Sequence, residues 1–469
     1  MRIIVLLPAL IFWVGCTTAG KRLSLLDQAF TEGPESLSRL CREDHVAACS
    51  LTGQAATREH ILPIMQGISS AEQARFVVDI EKGKSFRFYL QGNGRLERLN
   101  PDILEDRDSD VAVAQLEAFH LTPGQDYLLT VVGPNARVWD QRRFRSLNLS
   151  QSRGRLALVS CMDDDARFDS IQAQMWSDLA EMKPDLIVML GDNVYVDRVG
   201  TVKRPVTHPS QIWERYAQLR SRLKVYRLET LIPVIATWDD HDYGVNDGDR
   251  TFPFKTESRE IFLSFFPQKK SSPGFERGPG VASWVTLFGG NMALLDDRFF
   301  RSPDLLDSPD QTHFGVEQEK WLNQKLALSK TAVFLASGDQ FFGGYHQFES
   351  FEGSHPRRFK EQLNEWRQAL KVPALFLSGD RHLSEVIKVG REHLGFSTFE
   401  ITSSGIHATV HADAFEKAPS PAQVVGVPGE YNYSILEVMQ AGRFRLKVDV
   451  KAFSLNKKLL YQKLLVVKK

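Results

Sequence analysis

Thr237 to Asp249 reads TWDDHDYGVNDGD, five carboxylates and one histidine in thirteen residues, directly after the apolar run Leu231–Ala236. Carboxylates packed that closely cannot all stay ionised without a cation. Three more apolar runs end in groups of the same kind: Val159-Ser160-Cys161, Leu190-Gly191-Asp192 and Leu377-Ser378-Gly379-Asp380-Arg381-His382. Ligands of α/β sheets bind beyond the carboxyl ends of the strands. Four such ends in one crevice would gather a thiol, several carboxylates and two histidines, and bound metal would relieve the repulsion. The glycines before Asp192 and Asp380 are expected to turn the backbone sharply and aim those side chains. Asp247 and Asp249 read better as part of a turn than as ligands.

The elements around these residues are legible from their periods. RLALVSC, PDLIVMLGDN, IPVIATWDDHD, TAVFLASGDQ and PALFLSGDRH are short apolar strands. Between them FDSIQAQMWSDLAEM carries Ile171, Met175, Leu179 and Met182 at helical spacing. IWERYAQLRSRLKVYRLE, Val316–Leu328 and Arg358–Leu370 are also helical. Strands alternating with helices predict an α/β domain from about residue 155 to 469. Residues 61–150 read as short alternating strands with Gly-bearing turns, a small β-sandwich. Residues 17–60 show no period and read as an irregular linker. From Tyr431 the chain returns to strands.

The 58 basic and 58 acidic side chains cancel, so no global field favours nucleic acid, and no nucleic-acid binding is expected. No H-E-x-x-H motif supports a metalloprotease. At the N-terminus Arg2 precedes the apolar run Ile3–Val14, too short to span a bilayer and suited to a secretory signal. Gly15-Cys16 follows and resembles the processing site of bacterial lipoproteins, although Trp13 is unusual there. Residues 1–16 are therefore expected to be a signal segment, with lipidation at Cys16 and an exported, periplasmic, membrane-tethered product. Cys41 and Cys49 could pair in an oxidising compartment, which leaves Cys161 odd.

SC, GDNVY, WDDHD and SGDRH, in this order, resemble the calcineurin-like metallophosphoesterases, and most closely the PhoD-type alkaline phosphatases and phosphodiesterases. LLDDRFFR, FGVEQEKWL, ESFEGSHPRR and the earlier LTPGQDYLLTVVG match too, so the likeness covers roughly residues 60–469. It implies a catalytic sandwich of two sheets flanked by helices, preceded by the small β-sandwich. It implies two-metal hydrolysis of phosphomonoesters or phosphodiesters. Asp192 would bridge the metals. Cys161, Tyr195 and His382 would complete the first site, suited to iron(III) by their thiolate, phenolate and imidazole. Asp240 and Asp380, with Asp239, would form the second, suited to calcium, with manganese, magnesium or zinc as competitors. His241 would protonate the leaving alkoxide, with Asp242 orienting its ring. Arg198 and Arg381 are candidates to grip phosphate. Departures from the family pattern are Asp242, where glutamate is expected, and ESFEGSHP in place of DSWDGYP. The alternative reading is a binding protein that kept the fold and lost the chemistry.

Overall fold

Strand Leu186–Leu190 is apolar throughout, and all five side chains are buried. Side chains alternate across a strand, so such a run must feed two cores at once. Leu186, Val188 and Leu190 join one apolar cluster, and Ile187 and Met189 join another. Its neighbour Arg153–Val159 divides in the same way, with Leu156 and Leu158 on the first side and Ala157 and Val159 on the second. The computed structural model that shows this describes residues 62–469 apart from 69, 71, 135–137, 150, 305–307 and 346–349. The expectations for residues 1–61, including those on Cys16, Cys41 and Cys49, lie outside the described residues.

The second cluster is filled by helices. Asp169–Glu181 contributes Met175, Trp176 and Leu179, and Pro209–Arg222 contributes Ile212, Trp213, Tyr216 and Leu219. The first cluster lies between two sheets. One has ten strands, with Arg153–Val159, Leu186–Leu190 and Val234–Thr237 parallel and adjacent near its middle. The other has eight, with Gly290–Leu294, Val333–Ala336, Ala374–Ser378 and Thr398–Ser403 parallel at its centre. Helices Val316–Leu328 and Pro356–Ala369 add Leu322, Leu326, Phe359, Leu363 and Trp366 to that first cluster. The result is an α/β sandwich, two sheets between helices.

The N-terminal strands form a smaller sheet pair around Phe76, Phe88, Tyr127 and Phe144. One of its layers is an independent five-stranded sheet that takes in Thr230–Leu231 from the later part of the chain. The other layer, including Ile64–Gly67, Ala74–Glu81 and Val111–Ala118, continues the ten-stranded sheet, joined where Gly67 pairs with Val234. Buried Arg220 meets Asp79 at 2.9 Å and clamps the two regions together. The last strands, Tyr433–Gln440, Arg445–Ser454 and Lys458–Lys468, extend the opposite edge as antiparallel neighbours.

Candidate metal centre

The carboxyl ends of the two parallel strand sets meet, and the candidate residues sit on the turns that leave them. Cys161, Asp192, Asp380 and His382 all have left-handed backbone, with φ of 59°, 50°, 63° and 50°. That region is unfavourable for residues with a Cβ and is found where a site over-determines the backbone. Gly191 also has positive φ, at 79°, and turns the chain as expected. Gly379 is required for a different reason. A Cβ there would stand 2.2 Å from the Leu190 carbonyl and 2.8 Å from Ser160, so glycine permits close approach while Asp380 itself makes the turn.

Asp192 lies at the hinge of two groups of donors. Cys161, Asp192 and His382 offer atoms that are all within 4.8 Å of one another, and so do Asp192, Asp240 and His241. Asp192 Oδ2 accepts from Cys161 Sγ at 3.4 Å and from the Tyr195 hydroxyl at 3.2 Å. The Tyr195 hydroxyl also lies 3.3 Å from His382 Nε2. His382 is fixed by its Nδ1 on the Thr409 carbonyl and by its amide, which donates to Ser404 Oγ. Ser404 Oγ is also 3.1 Å from Cys161 Sγ.

The electrostatics ask for a cation. Burial, then the charge of Asp192, pushes the Cys161 thiol well up. Burial followed by Asp192 and Cys161 does the same to Tyr195. Burial raises Asp192 to about 7. Its Oδ1 is buried with no hydrogen-bond partner. Burial pushes His382 down to about 3, so its imidazole is neutral. These donors resist ionisation mainly because they are dry and close to one another. A multivalent cation reverses that balance, so the residues present fit a metal.

His241 is held differently. Its Nδ1 meets Asp197 Oδ1 at 2.8 Å. Burial opposes its charged form, but Asp240, Asp192 and Asp197 outweigh burial and push it up to about 10. Asp242, expected to orient this ring, accepts instead from the amides of Asn193 at 2.9 Å and Asp239 at 3.0 Å. It caps the turn that carries the histidine. The carboxylate on the ring is Asp197, two residues beyond Tyr195, which the sequence reading missed.

Asp239, Asp380, Arg381 and Arg198, also expected at the site, fall at its margins. Asp239 Oδ1 accepts from buried Arg298 Nε at 2.6 Å, and among the described residues neither donor group includes Asp239 or Asp380. Asp380 presents its main-chain oxygen to Cys161 Sγ at 3.8 Å, and its carboxylate lies 3.9 Å from Arg381 Nη1. Arg198 lies over the Tyr195 ring, 3.7 Å from its centroid, and donates to Asp163 at 2.8 Å. His407 is fully buried, with Nδ1 on the Asp163 carbonyl at 2.9 Å and Nε2 accepting from Trp176 at 3.1 Å.

Two sheets between helices, with donors on the strand-end turns around one shared aspartate, define the architecture of the calcineurin-like metallophosphoesterases. Within them the chain belongs to the PhoD-like phosphatase family, whose model matches residues 156–456. It is similar to Alkaline phosphatase D of Bacillus subtilis (strain 168), 27% identical over 296 residues, which is 50% of this chain and 49% of that protein. The chain thus spans about half the length of that curated relative. A solved structure of PhoD superposes with a TM-score of 0.66 at 15% identity, covering 88% of this chain and 90% of that one, a likeness of fold.

Proposed function

We propose that this chain is an exported, metal-dependent phosphoesterase that hydrolyses phosphomonoesters, phosphodiesters or both. The observation that carries the reading is Asp192, whose carboxylate is common to two groups of side chains able to ligate a metal, Cys161 and His382 on one side and Asp240 and His241 on the other. The similarity to Alkaline phosphatase D supports the same substrate class. Cys161, Tyr195 and His382, with Asp192, would hold one ion, iron(III) by the softness and charge of the donors. Asp192 and Asp240, with Asp380, would hold the second, calcium or a competing divalent ion. Bound ions would supply Lewis-acid charge for phosphate oxygens and lower the pKa of a coordinated water.

The chain's own residues do the rest. Asp197 occupies His241 Nδ1, which leaves Nε2 to carry a proton into the crevice. The surrounding carboxylates keep that proton in place at neutral pH, so His241 enters the reaction as an acid ready to protonate a leaving alkoxide. Tyr195, packed between Asp192 and the Arg198 guanidinium, is positioned rather than free to swing. Arg381, 3.9 Å from the Asp380 carboxylate, and Arg198, paired with Asp163, are the cations proposed to grip an incoming phosphate. The export reading rests on residues 1–16, with a lipid at Cys16 as the tether to the periplasmic face of a membrane.

Hydrolysis of p-nitrophenyl phosphate and its bis ester, measured before and after exhaustive chelation, tests the reading. We expect turnover of at least one substrate, lost with the metal and restored on readdition. Turnover unaffected by chelation would reject the metal-dependent mechanism. No turnover by the metal-loaded protein would favour a binding protein on the same fold.

A further inference from the structure

At the opposite end of the sheets from the metal centre, six basic side chains gather that form no ion pair among the described residues. Strand Tyr433–Gln440 runs antiparallel to Arg153–Val159, with Met439 opposite Arg153, so the hairpin that follows it lies at the amino ends of the parallel strands. Arg443, Phe444 and Arg445 form its tip, all three exposed, with Phe444 at 50%. Lys468 pairs with Arg445 across the final strand, and the Lys469 amide donates to the Phe444 carbonyl at 3.1 Å. Lys371, just before strand Ala374–Ser378, and Arg367 lie close enough to Lys469 that, after burial, they lower its affinity for a proton. None of Arg367, Lys371, Arg443, Arg445, Lys468 and Lys469 makes an ion pair among the described residues.

The Arg443 guanidinium lies 5.1 Å from the centroid of the Phe444 ring, and the Lys469 ammonium lies 4.7 Å from that of Phe396. In a chain of zero net charge, six like charges at one corner, with an exposed phenylalanine among them, need a reason. Lysines on an edge strand discourage strand pairing, and a cation in the last turn of a helix suits its dipole. Those explanations serve Lys468 and Arg367. They leave Arg443, Phe444 and Arg445 at a hairpin tip unexplained.

We infer that this corner is a docking surface for an anionic phospholipid bilayer. Arginine and lysine would meet the lipid phosphates while Phe444 enters the interface, the side-chain pairing that membrane-surface elements use. Placement supports the inference. Strand Ile64–Gly67 runs parallel to Val234–Thr237, and its last residue pairs with Val234, so Leu62 enters the fold from this same end. A membrane on this face leaves the crevice with Cys161, Asp192 and His382 pointing away from it, open to soluble substrate. The surface does not depend on a lipid at Cys16. A tether would hold the chain to any bilayer, whereas this patch distinguishes anionic from neutral lipid.

Hydrogen–deuterium exchange of the full chain with vesicles tests it. With phosphatidylglycerol in phosphatidylcholine, backbone exchange over residues 441–446 and 466–469 is expected to slow at least severalfold relative to phosphatidylcholine alone. The protection should fade as salt shortens the range of the charges. The triple variant Arg443→Glu, Arg445→Glu and Lys468→Glu should lose that protection while keeping the melting temperature and esterase rate of the parent. Each cation removed should weaken binding about fivefold. Equal exchange on both vesicle types overturns the inference, whether or not the chain is tethered. Equal or greater protection by a nucleic acid at matched phosphate concentration overturns the choice of a membrane as partner.

Discussion

His241 and His407 lie at the same end of the sheets, both largely out of water, and their surroundings drive them in opposite directions. His407 meets a carbonyl and an indole N–H, so only its neutral form satisfies both partners, and burial pushes it down to about 4. His241 suffers burial too, but three carboxylates face it and push it up to about 10. Burial alone makes a histidine a neutral structural group or ligand. Carboxylates within reach make it an acid. The same contrast separates His382, which burial pushes down to about 3, from His241.

Removing His241, the proposed acid, should give the largest effect. His241→Ala is expected to lower turnover about 10²–10⁴-fold with metal content near normal, as for loss of a general acid. The loss should shrink for esters with good leaving groups, and equal losses across leaving groups would break the contrast. His407 should report itself through stability. Its folded-state pKa is depressed to about 4 from about 6.5. Below about 6.5 the unfolded chain binds a proton that the folded chain refuses, so stability present at neutral pH is lost as pH falls toward 4. That loss is about 3 kcal/mol in all. Chelated protein carrying His407→Gln should lack this share of the acid dependence in urea titrations. An unchanged slope would mean that His407 is not held neutral.

The smallest effects should separate Asp197 from Asp242. Asp197→Asn removes a carboxylate from His241, so the alkaline limb of the rate profile should move to lower pH, with a roughly tenfold loss of rate. Asp242→Asn should leave that limb in place and cost about 1 kcal/mol of stability as a weakened cap. Reversed outcomes would return the orienting role to Asp242.

The difference between these two aspartates also marks what could be read from sequence. Cys161, Asp192 and the Asp239–Asp242 cluster were visible because each follows an apolar strand, and strand ends converge in an α/β sheet. Asp197 was not, because it reaches His241 across 44 residues from a turn with no periodic signal. Ser404 could have been found, since it follows strand Thr398–Ser403 in the same strand-then-polar pattern. Arg298, quoted within LLDDRFFR, gave no sign that it would neutralise Asp239, because pairing between distant buried charges leaves no local trace. The N-terminal strands were legible as strands. Their joining to the larger sheet was not, since it depends on a single register pair, Gly67 with Val234.

Metal content per chain, measured by elemental mass spectrometry on the parent, Cys161→Ser and Asp192→Asn, tests the central claim most directly. A carboxylate shared by two sites predicts two ions in the parent, the selective loss of one in Cys161→Ser, and depletion of both in Asp192→Asn, with activity falling in step. An Asp192→Asn protein that keeps both ions and its activity would contradict the shared centre.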